Sequence, residues 1–352
     1  MKDLTIAVVG ATGAVGVEFL RIMEQRHPDL PCLKLLASSR SAGKRMTVGG
    51  KEFVVEETTD GSFNGVDVVF ISASSAVSLK YAPIAVACGA VVIDDGSAFR
   101  MEDNVPLVVP EVNGADVEWH EGIISIPNCS TTPLVMVAHP LNRVNTIVRM
   151  VADTYQSVSG AGGALMEDLR EQSRNHLDGI AGSSPLSNQR VAFNVIPQID
   201  RFQPDGYTFE EQKMIQETRK IMHCPSMALS ATCVRVPVYV SHSAAVHIEF
   251  ERPMHPEEAR GLLDAMPGVK VVDDPDRGIY PMPCDAEGSD DVLVGRIRRD
   301  ASHPNGLVLW VVADNLRKGA ALNSIQIAEE LEARSCLKPG LMPRGKSGIA
   351  GR

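Results

Sequence analysis

The stretch VVGATGAVGVEFL, residues 8–20, carries the chain from a short apolar strand into a helical pattern through three glycines, Gly10, Gly13 and Gly16. Their G-x-x-G-x-x-G spacing falls where a backbone must approach a pyrophosphate and offer it the free N–H groups of a helix start. The pattern alone also describes a structural glycine turn. A strand before it, a helix after it and its place at the beginning of the sequence favour a dinucleotide site, with Gly10, Ala11, Thr12, Gly13, Ala14, Val15 and Gly16 as the expected loop.

Outward from that loop, Val/Ile-rich runs alternate with helical patterns: LTIAVV, a helix over 14–26, LKLLAS, VDVVFISA, a helix over 76–88, and AVVIDD. This βαβ rhythm predicts an α/β unit with a doubly wound parallel sheet, and hairpin turn signals between the strands are scarce. The end of the second strand selects the cofactor. An acidic residue there accepts the ribose 2′-OH of NAD, whereas a 2′-phosphate asks for Arg and hydroxyls. ASSRSAGKR supplies Ser38, Arg40 and Ser41, with Lys44 and Arg45 nearby, and favours NADP; a solvated basic loop is the competing explanation.

After Pro133 the texture changes. A helix over 134–141, longer strands such as IVRMVADTYQSVSG and a polar, Gly/Ser-rich stretch over 175–188 mark a second domain. TFEEQKMIQETRKIM opens with Thr208 and Glu211 at capping-box spacing and predicts a helix with one charged face. TCVRVPVYVSHSAAVHIEF is expected as a strand pair or one bent strand, and LVLWVVADNL as a strand leading into a helix over 320–334. The tail after Cys336, rich in Gly, Pro, Lys and Arg, is expected to fray.

The 352 residues exceed one typical domain, and 44 % hydrophobic with 22 % charged residues suits a well-formed core. A net charge of -10 gives no broad footprint for nucleic acid or an anionic membrane, and leaves room for a local anion pocket. No apolar run approaches the roughly 20 residues that span a bilayer, so a cytoplasmic protein is expected. The cysteines, at 32, 88, 129, 224, 233, 284 and 336, are odd in number and never spaced C-x-x-C. That argues against a disulfide framework or a metal site and predicts reduced thiols, most of them buried.

Cys129 is the exception. In IPNCSTTPL it follows a strand end, and Thr131 or Thr132 is a candidate N-cap before Pro133. A thiol at a helix start should have a lowered pKa, and free N–H groups there would hold an oxyanion. Locally, a nucleophile and a buried structural cysteine fit equally well. A dinucleotide fold joined to an activated cysteine points to hydride transfer through a thiohemiacetal and thioester.

GATGAVG, ASSRSAGK, DDGSAFR, PNCSTTPL, YQSVSGAGG, EEQKM, CVRVPVYVSHS and DNLRKGAALNSIQIAE occur in this order over most of the chain. With them the sequence resembles the aspartate-semialdehyde dehydrogenases. The resemblance implies a discontinuous Rossmann-type nucleotide-binding domain, residues 1–130 and 318–352, and an α+β catalytic and dimerisation domain, 131–317. It implies reversible, NADP-dependent reductive dephosphorylation of L-4-aspartyl phosphate to L-aspartate 4-semialdehyde and phosphate, in the biosynthesis of lysine, threonine and methionine.

Carried onto matching positions, the resemblance makes Cys129 the nucleophile with Asn128 beside it, and His242 the acid/base. It gives Gln156 the task of orienting substrate, Arg235 its carboxylate and Glu210 its amino group. Arg100 and Lys213 would bind phosphate, and Ser159, Gly160, Gly162 and Asn315 would line the cofactor site. It further implies a homodimer or homotetramer. Without it, Glu210 and Lys213 read as an i,i+3 surface ion pair and Arg100 equally as a solvated loop arginine. The nearest alternatives are an N-acetyl-glutamyl-phosphate reductase, whose substrate has no free amino group, and a non-catalytic NADP-binding relative. One tension stands in the spacing: Arg235 and His242 are seven apart, so an unbroken strand would aim them at opposite faces, unless Pro237 marks a bend.

Overall fold

The computed structural model describes residues 1–180 and 189–337; most of the 175–188 stretch and the tail beyond Leu337 lie outside the described residues. The chain begins with β1 (Thr5–Val9), α1 (Ala14–Arg26) and β2 (Cys32–Ala37), then a hairpin of β3 (Arg45–Val48) and β4 (Lys51–Val54). It continues through β5 (Glu56–Glu57), β6 (Val68–Ile71), α2 (Ser75–Ala87), β7 (Val91–Asp94), the single turn α3 (Pro110–Asn113) and β8 (Ile123–Ser125). The sheet order is β5-β2-β1-β6-β7-β8, parallel at every pairing. Every residue of β6 and β7 is buried, as strands covered on both faces require. Phe19 of α1 stacks on Phe70 at 4.4 Å on one face, while Tyr81, Ala82 and Ala85 of α2 pack on the other. The doubly wound expectation is met. The hairpin was not expected; its turn is Gly49-Gly50, both at positive φ, the dipeptide that favours a two-residue hairpin turn.

The second half comprises α4 (Thr131–Val144), β9 (Ile147–Gln156), α5 (Gly163–Leu177), α6 (Phe209–Ile221), β10 (Ala228–Arg235) and β11 (His242–Phe250). It ends with α7 (Pro256–Asp264), β12 (Val269–Val271), the single turn α8 (Pro283–Ala286), β13 (Val292–Arg299) and β14 (Gly306–Ala313). Its mixed sheet runs β10-β9-β11-β14-β13-β12 and packs its inner face on α4, α6 and α7. The expected strand pair is two strands that do not pair with each other, because β9 lies between them. A π-helical turn, Arg317–Ala321, then leads into α9 (Leu322–Ala333), whose Leu322, Ile325 and Leu331 join the core of the first sheet.

Strand direction assembles the site. β9 and β10 are parallel, so Gln156 and Arg235 sit side by side at their ends. β11 is antiparallel to β9, so its first residue, His242, starts at that same end; β14 is antiparallel to β11, so Ala313 finishes there and Asn315 follows. The carboxyl ends of β7 and β8 deliver Arg100 and Cys129 from the other sheet.

Of the cysteines, all free, Cys233 is buried, whereas Cys32, Cys88 and Cys284 are exposed. The expectation of mostly buried thiols fails because these three sit at a strand start, a helix C-cap and a one-turn helix rather than on core faces.

Candidate active site

Cys129 precedes α4, but the N-cap is Ser130, with Thr131 and Thr132 already inside the helix. Asn128 does the capping: its Oδ1 accepts the Ser130 N–H at 2.8 Å, and its carbonyl accepts those of Thr131 and Thr132 at 2.9 and 3.1 Å. The helix-start amides expected to be free are therefore occupied. The expected lowering of the thiol pKa fails too. Burial, then the charges of Glu210 and Asp95, push the Cys129 thiol up to about 12, against the pull of Arg100 and Arg235. The glycine of the π turn, Gly319, packs on Cys129 so closely that a Cβ there would lie 3.0 Å from the cysteine Cβ.

Helix α6 supplies the charge. Thr208 and Glu211 form the expected capping box, the Thr208 N–H donating to Glu211 and the Glu211 N–H to Thr208 Oγ1. Its charged face is turned inward rather than to water: Glu210, Glu211 and Glu217 are buried. Glu210 accepts Asn128 Nδ2 at 2.9 Å and Gln156 Nε2 at 3.0 Å on one oxygen, and Lys213 Nζ at 3.2 Å on the other. Lys213 also donates to Asp200 at 3.0 Å. The pair is thus part of a buried site, not a surface bridge.

Two residues of α6 went unnoticed in the sequence. Glu217, 1 % exposed, accepts Arg100 Nη1 at 2.9 Å and the Asn128 backbone N–H at 2.7 Å, linking the arginine to the residue before Cys129. Lys220 gives its three N–H bonds to the carbonyls of Arg100, Glu102 and Val105 at 2.8 to 2.9 Å and holds the loop after Arg100. The signal was there: Glu210, Lys213 and Glu217 recur at helical spacing on one face. Arg100 is buried, donates Nη2 to the Asp95 carbonyl at 2.8 Å and keeps an unpartnered Nε–H, a donor suited to an anion.

Arg235 and His242 do converge. The chain leaves regular β geometry between β10 and β11, with Ser241 at φ +74, and both side chains turn to one spot. A Cβ built on Gly160 would lie 3.0 Å from His242 Nε2 and 3.4 Å from Arg235 Nη1. Arg235 Nη1 donates to the Ser157 carbonyl. His242 is buried, and burial followed by the Arg235 charge lowers its pKa to about 3. Its Nδ1 meets the Ser157 N–H at 3.1 Å and Ser157 Oγ at 3.0 Å. Asn315 Oδ1 gathers Ser157 Oγ, Ser159 Oγ and the Ser241 N–H at 3.2, 2.9 and 3.0 Å. The arrangement brings one thiol, one imidazole, two arginines and the buried carboxylates of Glu210 and Glu217 to the junction of two sheets.

Two family models match the chain: the NAD binding domain of the semialdehyde dehydrogenases over residues 5–120 and their dimerisation domain over 139–318. Aspartate-semialdehyde dehydrogenases of Bacillus subtilis and Aquifex aeolicus are 48 % and 49 % identical to it over 339 and 331 residues. Those matches cover 94 % and 93 % of this chain and 98 % and 97 % of theirs. The chain belongs to the aspartate-semialdehyde dehydrogenase family. Aspartate semialdehyde dehydrogenase II of Vibrio cholerae, solved in complex with ASA, superposes with a TM-score of 0.91 at 42 % identity, covering 94 % of this chain and 98 % of that one. The Candida albicans aspartate semialdehyde dehydrogenase, solved with NADP, does so with a TM-score of 0.75 at 28 % identity, covering 95 % and 99 %. As a member of this family the chain is an oxidoreductase of amino-acid biosynthesis with a nicotinamide-cofactor domain and a dimerisation domain.

The cofactor loop of this family member fits such a group. Gly10 has φ +88 and a Cβ there would run into the Ser72 carbonyl; one on Gly16 would strike the Gly10 carbonyl. Gly10 and Ala11 donate their N–H groups to the Leu36 carbonyl, and Gly13 to that of Gly10, so these residues shape the turn. No side chain caps α1, and its first-turn amides, those of Ala14, Val15 and Gly16, remain for an anion. Ser38 and Arg40 stand exposed beyond β2, with Ser41 half-buried; Arg45 is engaged by Glu52 in the hairpin. Gly162 begins α5 at φ +90, while Ser159, Gly160 and Asn315 surround the His242 end of the site. Among the described residues no cluster of three His, Cys, Asp or Glu is placed to hold a metal, and no helix is long and apolar enough to cross a membrane.

Proposed function

We propose that Cys129 attacks L-4-aspartyl phosphate and that the resulting thioester is reduced to L-aspartate 4-semialdehyde, with NADP as the cofactor. The observation that carries this is the convergence on Cys129 of two buried arginines and the buried Glu210 carboxylate, with the buried His242 imidazole beside Arg235. Arg100, with its free Nε–H, and Lys213 hold the phosphate; Arg235 grips the α-carboxylate. Glu210 takes the amino group, and Gln156 and Asn128, both hydrogen-bonded to Glu210, hold the acyl chain beside the thiol. His242 serves the carbonyl oxygen. The bound cofactor supplies the hydride that reduces the thioester carbonyl. Arg40, with Ser38 and Ser41, supports NADP over NAD.

Glu210 favours aspartyl phosphate over an N-acetylated glutamyl phosphate, because a free ammonium would be drawn to the Glu210 carboxylate that Lys213 already faces, and an amide carries no charge to be drawn. The domain limits at 130 and 318 are supported by Ala320, Leu322 and Ile325 joining the first core. A homodimer is supported by the outer face of the second sheet, where the Tyr155 ring lies tilted against Trp310 at 5.3 Å and Tyr155 is exposed.

NADPH formation from L-aspartate 4-semialdehyde, NADP and phosphate tests the chemistry. Turnover should require phosphate and vanish in Cys129→Ser while NADP binding stays within a few-fold. Full activity in that variant removes the thioester mechanism.

A further inference from the structure

We propose that Glu217 is a positioning residue for both halves of the reaction: one of its carboxylate oxygens holds the Arg100 guanidinium and the other the backbone next to Cys129, so that a single side chain sets the phosphate-binding group and the thiol relative to each other. This rests on the chemistry proposed above and adds to it a residue that acts through Arg100 and Asn128.

The two oxygens of the buried Glu217 are divided between donors that come from distant parts of the chain. Oε1 accepts Arg100 Nη1 at 2.9 Å, and Oε2 accepts the Asn128 N–H at 2.7 Å. Among the described residues that N–H has no other acceptor, and Arg100 has one other partner, the Asp95 carbonyl on Nη2 at 2.8 Å. The two bonds to Arg100 fix the plane of its guanidinium and leave the buried Nε–H for a ligand. Burial opposes the Arg100 charge; Glu217, ahead of Asp95, is the charge that offsets it. The same helix holds both neighbours a second time. Glu210 accepts Asn128 Nδ2 at 2.9 Å, and Lys220, one turn beyond Glu217, donates to the Arg100 carbonyl at 2.8 Å.

Both neighbours donate, so the group between them needs two acceptor oxygens. Glutamine has one, and its NH2 would face a donor whichever way the amide is turned, leaving either the guanidinium or the Asn128 peptide unheld. In the direction of semialdehyde oxidation the reaction divides at the thioester. Addition of the Cys129 S–H across the aldehyde, then loss of hydride to the oxidised cofactor and of the hydroxyl proton to solvent, needs no phosphate. A phosphate oxygen then attacks the thioester carbonyl, the C–S bond breaks, and aspartyl phosphate and the thiolate are released. The first half depends on where Cys129 is held, the second also on where Arg100 is held. Loss of the Glu217 charge alone would strengthen the pull of Arg100 on an anion and lower the KM for phosphate. Loss of its grip lowers the rate at saturating phosphate, so the two effects are read separately.

Single-turnover NADPH formation from aspartate semialdehyde without phosphate reads the first half; consumption of the preformed thioester on adding saturating phosphate reads the second. Glu217→Gln should slow each about tenfold, with no rise in the KM for phosphate and with NADP binding within a few-fold of wild type. Arg100→Ala should slow chiefly the second half. Added to Arg100→Ala, Glu217→Gln should slow the first half as before and cost the second much less, since no guanidinium is left to hold. Equal further loss in either background would mean that Glu217 only braces α6, and overturns the proposal; so does loss confined to one half, or both rates unchanged. If Glu217→Gln does not fold, Glu217→Asp takes its place: it keeps both oxygens on a shorter arm, and the same pattern is expected with smaller losses. Wild type that forms no NADPH from the semialdehyde, or whose turnover ignores phosphate, refutes the proposed function and this role with it; where wild type does both, the variants judge Glu217 alone.

Discussion

A thiol with a pKa near 12 is a poor nucleophile until something changes around it, and the surroundings of Cys129 say what changes. Burial comes first, then Glu210 and Asp95. On the proposed function, a substrate ammonium seated at Glu210 would cancel one of these charges. The Cys129 thiol would then be more acidic with such a substrate bound than in the empty site. Removing the Glu210 charge should mimic that step. In unliganded Glu210→Gln, iodoacetamide should alkylate Cys129 several-fold faster than in wild type at pH 8, while turnover falls because the amino group loses its partner. The sign is fixed: a carboxylate raises a thiol pKa, so its loss must lower it. Alkylation no faster than wild type, with the fold intact by circular dichroism, would show that Glu210 does not control the thiol.

At the scale of elements, the π turn at Arg317–Ala321 is where the two halves are fastened beside Cys129. Arg317 bonds Glu18 and Gln25 of α1 and Asp290 across from them. Lys318, 1 % exposed, donates to Glu111, Asn323 and Gln326, each within 3.1 Å. Between these anchors Gly319 has no freedom to retreat from Cys129. Gly319→Ala should therefore push the Cys129 backbone by a few tenths of an ångström and lower kcat about tenfold, with a small change in the KM for NADP. Unchanged kcat would mean that the turn yields and the contact is passive. None of this was visible in DNLRKGAALNS, which reads only as a strand end and a helix start. By contrast α1 was legible to the residue, Ala14–Arg26, since glycine punctuation and apolar period agree there. The α6 capping box was equally plain. What the sequence could not show was the inward turn of α6's carboxylates, or the sharing of helix-start amides by Asn128, because both depend on elements far along the chain.

Across the whole molecule, the site exists only where the parallel sheet's carboxyl ends meet one end of the mixed sheet, and it holds buried ionisable groups whose protonation is linked to folding. His242 is the clearest case. Its folded-state pKa, about 3, lies below the unfolded value near 6.5, because burial and Arg235 disfavour the imidazolium. Between these values the unfolded chain binds a proton that the folded chain refuses. Stability from this residue is therefore complete above about pH 6.5 and is lost progressively as pH falls through that value. From pH 7 to pH 5 the loss is about 2 kcal/mol. Carboxylates and other histidines titrate in the same window, so the wild-type curve alone does not isolate it. The difference between wild type and His242→Gln does, since glutamine has no proton to gain. Urea unfolding of both proteins at equal concentration should show wild type losing about 2 kcal/mol more than the variant between pH 7 and pH 5. Parallel losses would mean that His242 takes up its proton in the folded protein near the ordinary imidazole range, and that burial beside Arg235 does not hold it neutral.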